Sequence, residues 1–271
     1  LNMKFEWITS EYNDLERASA DIAKHAGKLA AVIVEPMQGG AGALAGDPAF
    51  LKGLRKACDA HGVLLVLDEV MTSRLDFGGV QRKYGIKPDL MTLGKYVGGG
   101  LSFGAFGGRA DIMARFDPAR PDAYPHGGTF NNNVLAMSAG HAALTQVLSE
   151  ERLNRMNALG DSIRLRLAAL AQKHDVPMVA TGLGSIFGLH FHKGPGRNAG
   201  EFDRFEHGRE AAIGNLKKLF HLDMLAAGQY ISRRIMGDLS IETTEAEADS
   251  LCAAVEEFMV TRGPVVRAAI G

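Results

Sequence analysis

Two carboxylates stand side by side in Leu67-Asp68-Glu69-Val70, directly after an apolar run, Val63 to Leu67. Removing a carboxylate from water costs several kcal/mol unless a cation or hydrogen-bond donors meet it. The chain offers one candidate cation at a similar place: Lys95 follows Met91-Thr92-Leu93-Gly94 and precedes Gly98-Gly99-Gly100. Ligands of open α/β sheets bind at the carboxyl ends of the strands. The 27 residues from Asp68 to Lys95 are enough for a crossover between parallel strands. Lys95 would then be either an ion-pair partner of Asp68 or a reactive amine. Glu69, turned the other way along the strand, reads as structural.

The elements that must position these groups follow from the apolar pattern. Ala30 to Val34 is a continuous apolar run and predicts a strand buried on both faces of a parallel sheet. Gln38 to Gly42 is a loop. Asp47-Pro48 then opens a helix with Asp47 as N-cap and Phe50, Leu51, Leu54, Ala57 and Cys58 on its apolar face. Val63 to Leu67, Asp89 to Leu93 and Phe103 to Gly107 are three further strands, and strands alternating with helices predict an α/β layered domain. Beyond Asn132 the pattern changes. Helices are expected over Val134 to Leu148 and Glu151 to His174, then a half-buried strand over Ser185 to His192 and an extended stretch over Gln229 to Ile241. Thr244 and Glu247 form a capping box for a last helix with Leu251, Val255 and Phe258 inward. The expected division falls near residue 150, with residues 151–271 a smaller α+β domain.

Composition narrows the function. With 271 residues, 46% hydrophobic, 23% charged and a net charge of −1, the chain is an ordinary globular one with no electrostatic preference for nucleic acid or anionic membranes. No apolar run approaches the roughly 18 residues of a membrane span. Cys58 and Cys252 both fall on apolar helix positions and read as reduced core residues of a cytoplasmic protein. His190 and His192 share one strand face, a spacing that could hold a metal; without a third ligand they read as a solvated face, and no metal is expected.

Four motifs in order resemble the class III pyridoxal-phosphate-dependent aminotransferases of fold type I. They are Glu35-Pro36-Met37-Gln38-Gly39, Leu67-Asp68-Glu69-Val70, Thr92-Leu93-Gly94-Lys95 with Gly98 to Gly100, and His126-Gly127-Gly128-Thr129-Phe130. Within the class the likeness is to glutamate-1-semialdehyde aminomutases and β-amino-acid (β-phenylalanine-type) aminotransferases, and Glu69-Val70-Met71-Thr72-Ser73-Arg74 leans to the second. The resemblance implies that residues 1–150 are the C-terminal part of a large, mostly parallel-sheet domain that binds pyridoxal 5'-phosphate. Residues 151–271 would be the small C-terminal domain.

On that resemblance Lys95 binds the cofactor covalently and moves the proton, and Asp68 faces the pyridine nitrogen. Val70 packs on the ring and Gln38 lines the pocket. Thr129 reaches the cofactor phosphate of a neighbouring subunit, which implies a homodimer. Arg234 matches the carboxylate-binding arginine of the class, whose fork suits a carboxylate. The class usually has glycine next, where this chain has Ile235. If Arg233 and Arg234 lie on a strand, they point to opposite faces and only Arg234 enters the site. The implied reaction transfers an amino group from a carboxylate-bearing amine to a 2-oxo acid by ping-pong chemistry. An intramolecular aminomutase and a truncated, non-catalytic cofactor-site fragment or dimer partner are the alternatives. The class has a phosphate loop and a ring-stacking aromatic upstream of Glu35, and residues 1–34 contain neither, so the chain is expected to be truncated at its N-terminus.

Overall fold

The computed structural model describes residues 5–194, 196 and 199–270. Leu1 to Lys4, the start that reads as cut short, lie outside the described residues. In chain order the elements begin with α1 (Leu15–His25), β1 (Ala31–Val34), the short hairpin β2 (Met37–Gln38) and β3 (Leu44–Ala45), α2 (Pro48–His61) and β4 (Leu64–Asp68). Then come α3 (Gly79–Tyr84), β5 (Leu90–Gly94), β6 (Gly104–Gly108), α4 (Ala110–Met113) and α5 (Val134–Ala142). The rest is α6 (Glu150–Lys173), β7 (Met178–Leu183), β8 (Ile186–Phe191), α7 (Ala199–Glu206), α8 (Glu210–Ala226), β9 (Met236–Asp238) and α9 (Glu245–Ile270). The chain divides into two compact units, Leu1–Pro36 with Gly46–Glu150, and Met37–Ala45 with Glu151–Gly271.

The first unit is built on a sheet of order β1-β4-β5-β6, in which β1, β4 and β5 are parallel and β6 runs antiparallel to β5. The α2 helix lays Phe50, Leu51, Leu54 and Cys58 on Leu65 and Leu67 of β4, with Ile22 of α1 and Ile86 completing the cluster. Each such fully buried side chain stabilises the fold by about 1.5–3 kcal/mol. Pro48 stands at the start of α2 as expected, but the Asp47 side chain makes no capping bond. Its backbone N–H instead donates to Asn13 Oδ1 at 2.8 Å, which ties the helix entry to the segment before α1. Gly62, at φ +66°, ends the helix in the left-handed conformation that glycine adopts freely.

The expectation that β1 is buried on both faces is not met: Ile33 is 55% exposed. Among the described residues β1 is an edge strand with one covered face.

The carboxylate of Asp89, just before β5, is a structural hub. It accepts from Arg55 at 2.6 Å, from the Leu65 N–H at 2.7 Å and from Arg109 at 2.8 Å. The three partners come from α2, β4 and the segment after β6, so one buried charge ties together the elements flanking β5. Burial pushes its carboxyl up, but the bonds from Arg109, Leu65 and Arg55 outweigh that and hold it at about 2.

In the second unit β8 is the central strand of an antiparallel sheet, β7-β8-β9. The alternation of apolar residues predicts a half-buried strand, yet all six residues of β8 are buried. On one face Phe191 meets Phe220 of α8 and Phe258 of α9, with ring centroids 6.4 and 6.2 Å away. On the other, His190 and His192 stack on Phe202 of α7 at 4.2 and 4.7 Å. The two histidines are therefore buried, not a solvated face. The α9 capping box forms as predicted, with Thr244 N–H donating to Glu247 Oε2 at 2.8 Å and Glu247 N–H to Thr244 Oγ1 at 3.2 Å.

A folded-state carboxyl at about 2, against about 4 in the unfolded chain, contributes stability that is complete above pH 4 and is lost as pH falls towards 2. Asp89→Asn is therefore predicted to lower stability by roughly 3 kcal/mol at neutral pH. It should also flatten the acid limb of the stability curve. Urea titrations at pH 3, 5 and 7 measure both; a variant as stable as the parent at pH 7 contradicts the assignment.

Candidate active site

The end of β4 shows how the chain accommodates its two carboxylates. Glu69 is wholly buried and turned away from Asp68. It accepts from Thr72 Oγ1 at 2.6 Å, from the Val80 N–H at 3.0 Å and from the Gln81 N–H at 2.7 Å. The last two are free N–H groups at the start of α3, the natural place for a negative charge. Burial pushes its carboxyl up, and the bonds from Thr72, Gln81 and Val80 only partly counter this. Glu69 is a structural brace.

Asp68 is held differently. Its Oδ1 accepts from Thr92 Oγ1 at 3.0 Å and from the Val70 N–H at 3.1 Å. Thr92 is its register partner on β5. Val70 is half-buried, and a Cβ on Gly94 would sit 3.3 Å from its Cγ1, so Val70 lies on the backbone just before Lys95.

Lys95 is exposed and takes φ +52°, a left-handed conformation that costs a residue with a Cβ roughly 1 kcal/mol or more. Among the described residues it has neither an ion pair nor a hydrogen bond, so it is not the structural partner of Asp68. Its turn is braced by α5: a Cβ on Gly140 would run into the Val97 carbonyl oxygen. The arrangement is an unpaired amine and a carboxylate with one oxygen committed, at the carboxyl ends of two adjacent parallel strands.

Thr129 is exposed, in a turn ahead of α5. The cap of α5 is Asn133, whose Oδ1 accepts from the Leu135 and Ala136 N–H groups at 3.1 and 3.2 Å.

In the second unit the Gln38 Oε1 is buried and, among the described residues, without a hydrogen-bond partner. Arg233 and Arg234 occupy a turn closed by the Ile235 N–H to Ser232 carbonyl bond of 2.8 Å, not a strand. The alternation argument therefore does not apply, and both arginines line one cavity of about 420 Å³ with Gly42, His190, Lys217 and Met236. Ile235 takes φ +55°, the conformation a glycine would adopt there freely, and its side chain is fully buried. That burial offsets the strain and fixes the turn. The neighbouring His190 Nε2 lies 3.0 Å from the Gly42 carbonyl oxygen, to which Thr181 Oγ1 also donates at 2.7 Å. Among the described residues no group of three or more His, Cys, Asp or Glu side chains could hold a metal.

Residues 3–219 match the family model of the class-III aminotransferases, and the chain belongs to that family. It is 43% identical over 262 residues to the β-phenylalanine transaminase of Variovorax paradoxus, covering 97% of this chain and 58% of that protein. The solved structure of a β-phenylalanine aminotransferase from the same organism superposes with a TM-score of 0.91 over 97% of this chain and 59% of the other. An ω-transaminase of Sphaerobacter thermophilus, 33% identical, gives 0.81 over 92% of this chain and 56% of its own. A transaminase solved with PLP bound, 27% identical, gives 0.81 over 94% and 57%. The chain thus spans less than two thirds of the length of the relatives it matches.

Two residues that matter here had no assigned role in the sequence: Thr92, visible only once the β4–β5 register is known, and Asp89, which looked like the first residue of a strand. The brace at Glu69 makes a prediction. In Glu69→Gln the side-chain amide N–H₂ must face a backbone N–H, so the variant should lose roughly 1–3 kcal/mol of stability. Chemical denaturation checks this, and an unchanged midpoint contradicts it.

Proposed function

We propose that the protein is a pyridoxal-phosphate-dependent aminotransferase that moves an amino group from a carboxylate-bearing amine, of β-amino-acid type, to a 2-oxo acid by ping-pong chemistry. The observation that carries this is the pairing of an unpartnered lysine, Lys95, with a half-committed carboxylate, Asp68, at adjacent strand ends. The family membership and the 43% identity to a β-phenylalanine transaminase support it.

The residues fit the cofactor. Asp68 would present a carboxylate to the ring nitrogen and favour its protonated form, Val70 would support the ring face, and Gln38 would offer an oxygen that has no partner among the described residues. When bound, the cofactor supplies the electron sink that stabilises negative charge at the substrate carbon. Lys95 would hold the cofactor through its amine, and its Nζ would be the group that takes up and returns a proton beside it. Its exposure and lack of partners leave the amine mobile enough for both tasks. Arg234 binds the substrate carboxylate through its guanidinium fork. Thr129 reaches the cofactor phosphate of a second copy, which makes the working unit a homodimer; its exposure in a turn is compatible with that reach. The buried, unpaired Cys58 and Cys252 suit a reducing cytoplasm.

In the full-length protein Asp68→Asn should weaken cofactor binding and lower turnover by orders of magnitude, since shape is kept and charge is lost. Retention of the parental rate sinks the role. Removing Arg234 from a desolvated carboxylate contact costs roughly 2–5 kcal/mol. Arg234→Ala should therefore raise KM for a β-amino acid about 30-fold or more and leave KM for the decarboxylated amine nearly unchanged. Equal effects on both substrates would show that Arg234 is structural.

A further inference from the structure

The two oxygens of Asp68 are not equivalent. Oδ1 accepts two hydrogen bonds, one from Thr92 Oγ1 at 3.0 Å and one from the Val70 N–H at 3.1 Å. Oδ2 has no partner among the described residues. Thr92 also acts through its backbone: its carbonyl accepts the Glu69 N–H at 3.1 Å. Residue 92 thus grips the two acidic neighbours at once, Asp68 through its side chain and Glu69 through its main chain.

A carboxylate with both oxygens free turns about its terminal torsion, which has broad wells. Two donors on one oxygen, the Thr92 hydroxyl from β5 and the Val70 N–H from the turn after β4, remove that freedom and leave a single oxygen available. Both donors are N–H or O–H groups, so the committed oxygen must keep its lone pairs for them. We propose that Thr92 is a positioning residue of the cofactor site, whose hydroxyl occupies Oδ1 and so assigns Oδ2 to the protonated ring nitrogen of pyridoxal phosphate. This rests on the cofactor role of Asp68 and Lys95 proposed above. Threonine's β-branch suits the strand and its hydroxyl meets Asp68; valine keeps the shape and removes the donor, and serine keeps the donor.

The test uses full-length Thr92→Val, Thr92→Ser and the parent, each loaded with pyridoxal phosphate carrying ¹⁵N in the ring. Cofactor affinity by titration and the ring-nitrogen NMR signal against pH are the readouts. Loss of one hydrogen bond to a charged group predicts roughly ten-fold weaker cofactor binding in Thr92→Val. The ring nitrogen should also lose its proton at a lower pH than in the parent. Thr92→Ser should restore both. In an Asp68→Asn background Thr92→Val should add nothing, because Thr92 acts through Asp68. Melting of the cofactor-free proteins separates a folding defect from a site defect, and affinity loss that follows melting loss across the variants overturns the proposal. So does a Thr92→Val protein with parental affinity and parental nitrogen titration. If the parent itself takes up no cofactor, the proposal falls together with the proposed function; if the parent binds and Thr92→Val is silent, only the role of Thr92 falls.

Discussion

Two adjacent carboxylates at the end of a buried strand cannot both be left uncompensated, and the way each is met organises the first unit. Glu69 is fully satisfied by protein donors, two of them the free N–H groups that open α3. That fixes where the chain turns after β4. Asp68, one residue earlier and on the opposite side of the strand, is satisfied on one oxygen only among the described residues. A folded protein keeps a buried or half-buried carboxylate oxygen without a partner only where something else supplies one. The asymmetry between neighbours separates brace from site more sharply than burial does.

The sheet supplies the rest of the geometry. Parallel pairing of β4 and β5 brings Asp68 opposite Thr92, and three residues further on the chain leaves the sheet at Lys95. The chain enters β5 beside Asp89, tied to Arg55, Leu65 and Arg109, so the strand is anchored before its first residue and strained just past its last. Strained backbone persists only where its surroundings over-determine it. Here α5 lies so close to the turn after Lys95 that position 140 has no room for a Cβ. Lys95 is thus held in a costly conformation by rigid neighbours.

Much of this was legible in the residues. Continuous apolar runs located β1 and β4, and the short stretch ahead of Gly94-Lys95 located β5, to within a residue or two; helical spacing located α2, α6 and α9, because burial period and element type are set by the same local geometry. Asp68 and Lys95 were visible as strand-end residues. What could not be read were features set by partners distant in sequence. Alternation in Ser185 to His192 suggested one wet face, but α7 covers it by stacking Phe202 on both histidines. Ile33 looked like core, yet among the described residues β1 is an edge. Arg233 and Arg234 were placed on a strand, where a turn locked by a buried Ile235 puts them on one cavity. Thr92 and Asp89 acquired their roles only through a register that no local pattern encodes.

The central claim is that Lys95 is the residue through which this protein holds pyridoxal phosphate. Borohydride reduction of the full-length protein loaded with the cofactor, followed by peptide mass spectrometry, tests it directly. The account predicts one phosphopyridoxyl group per chain, carried by the peptide containing Lys95, and none on that peptide in Lys95→Ala. A label spread over other lysines, or one that survives Lys95→Ala at the parental level, would contradict it.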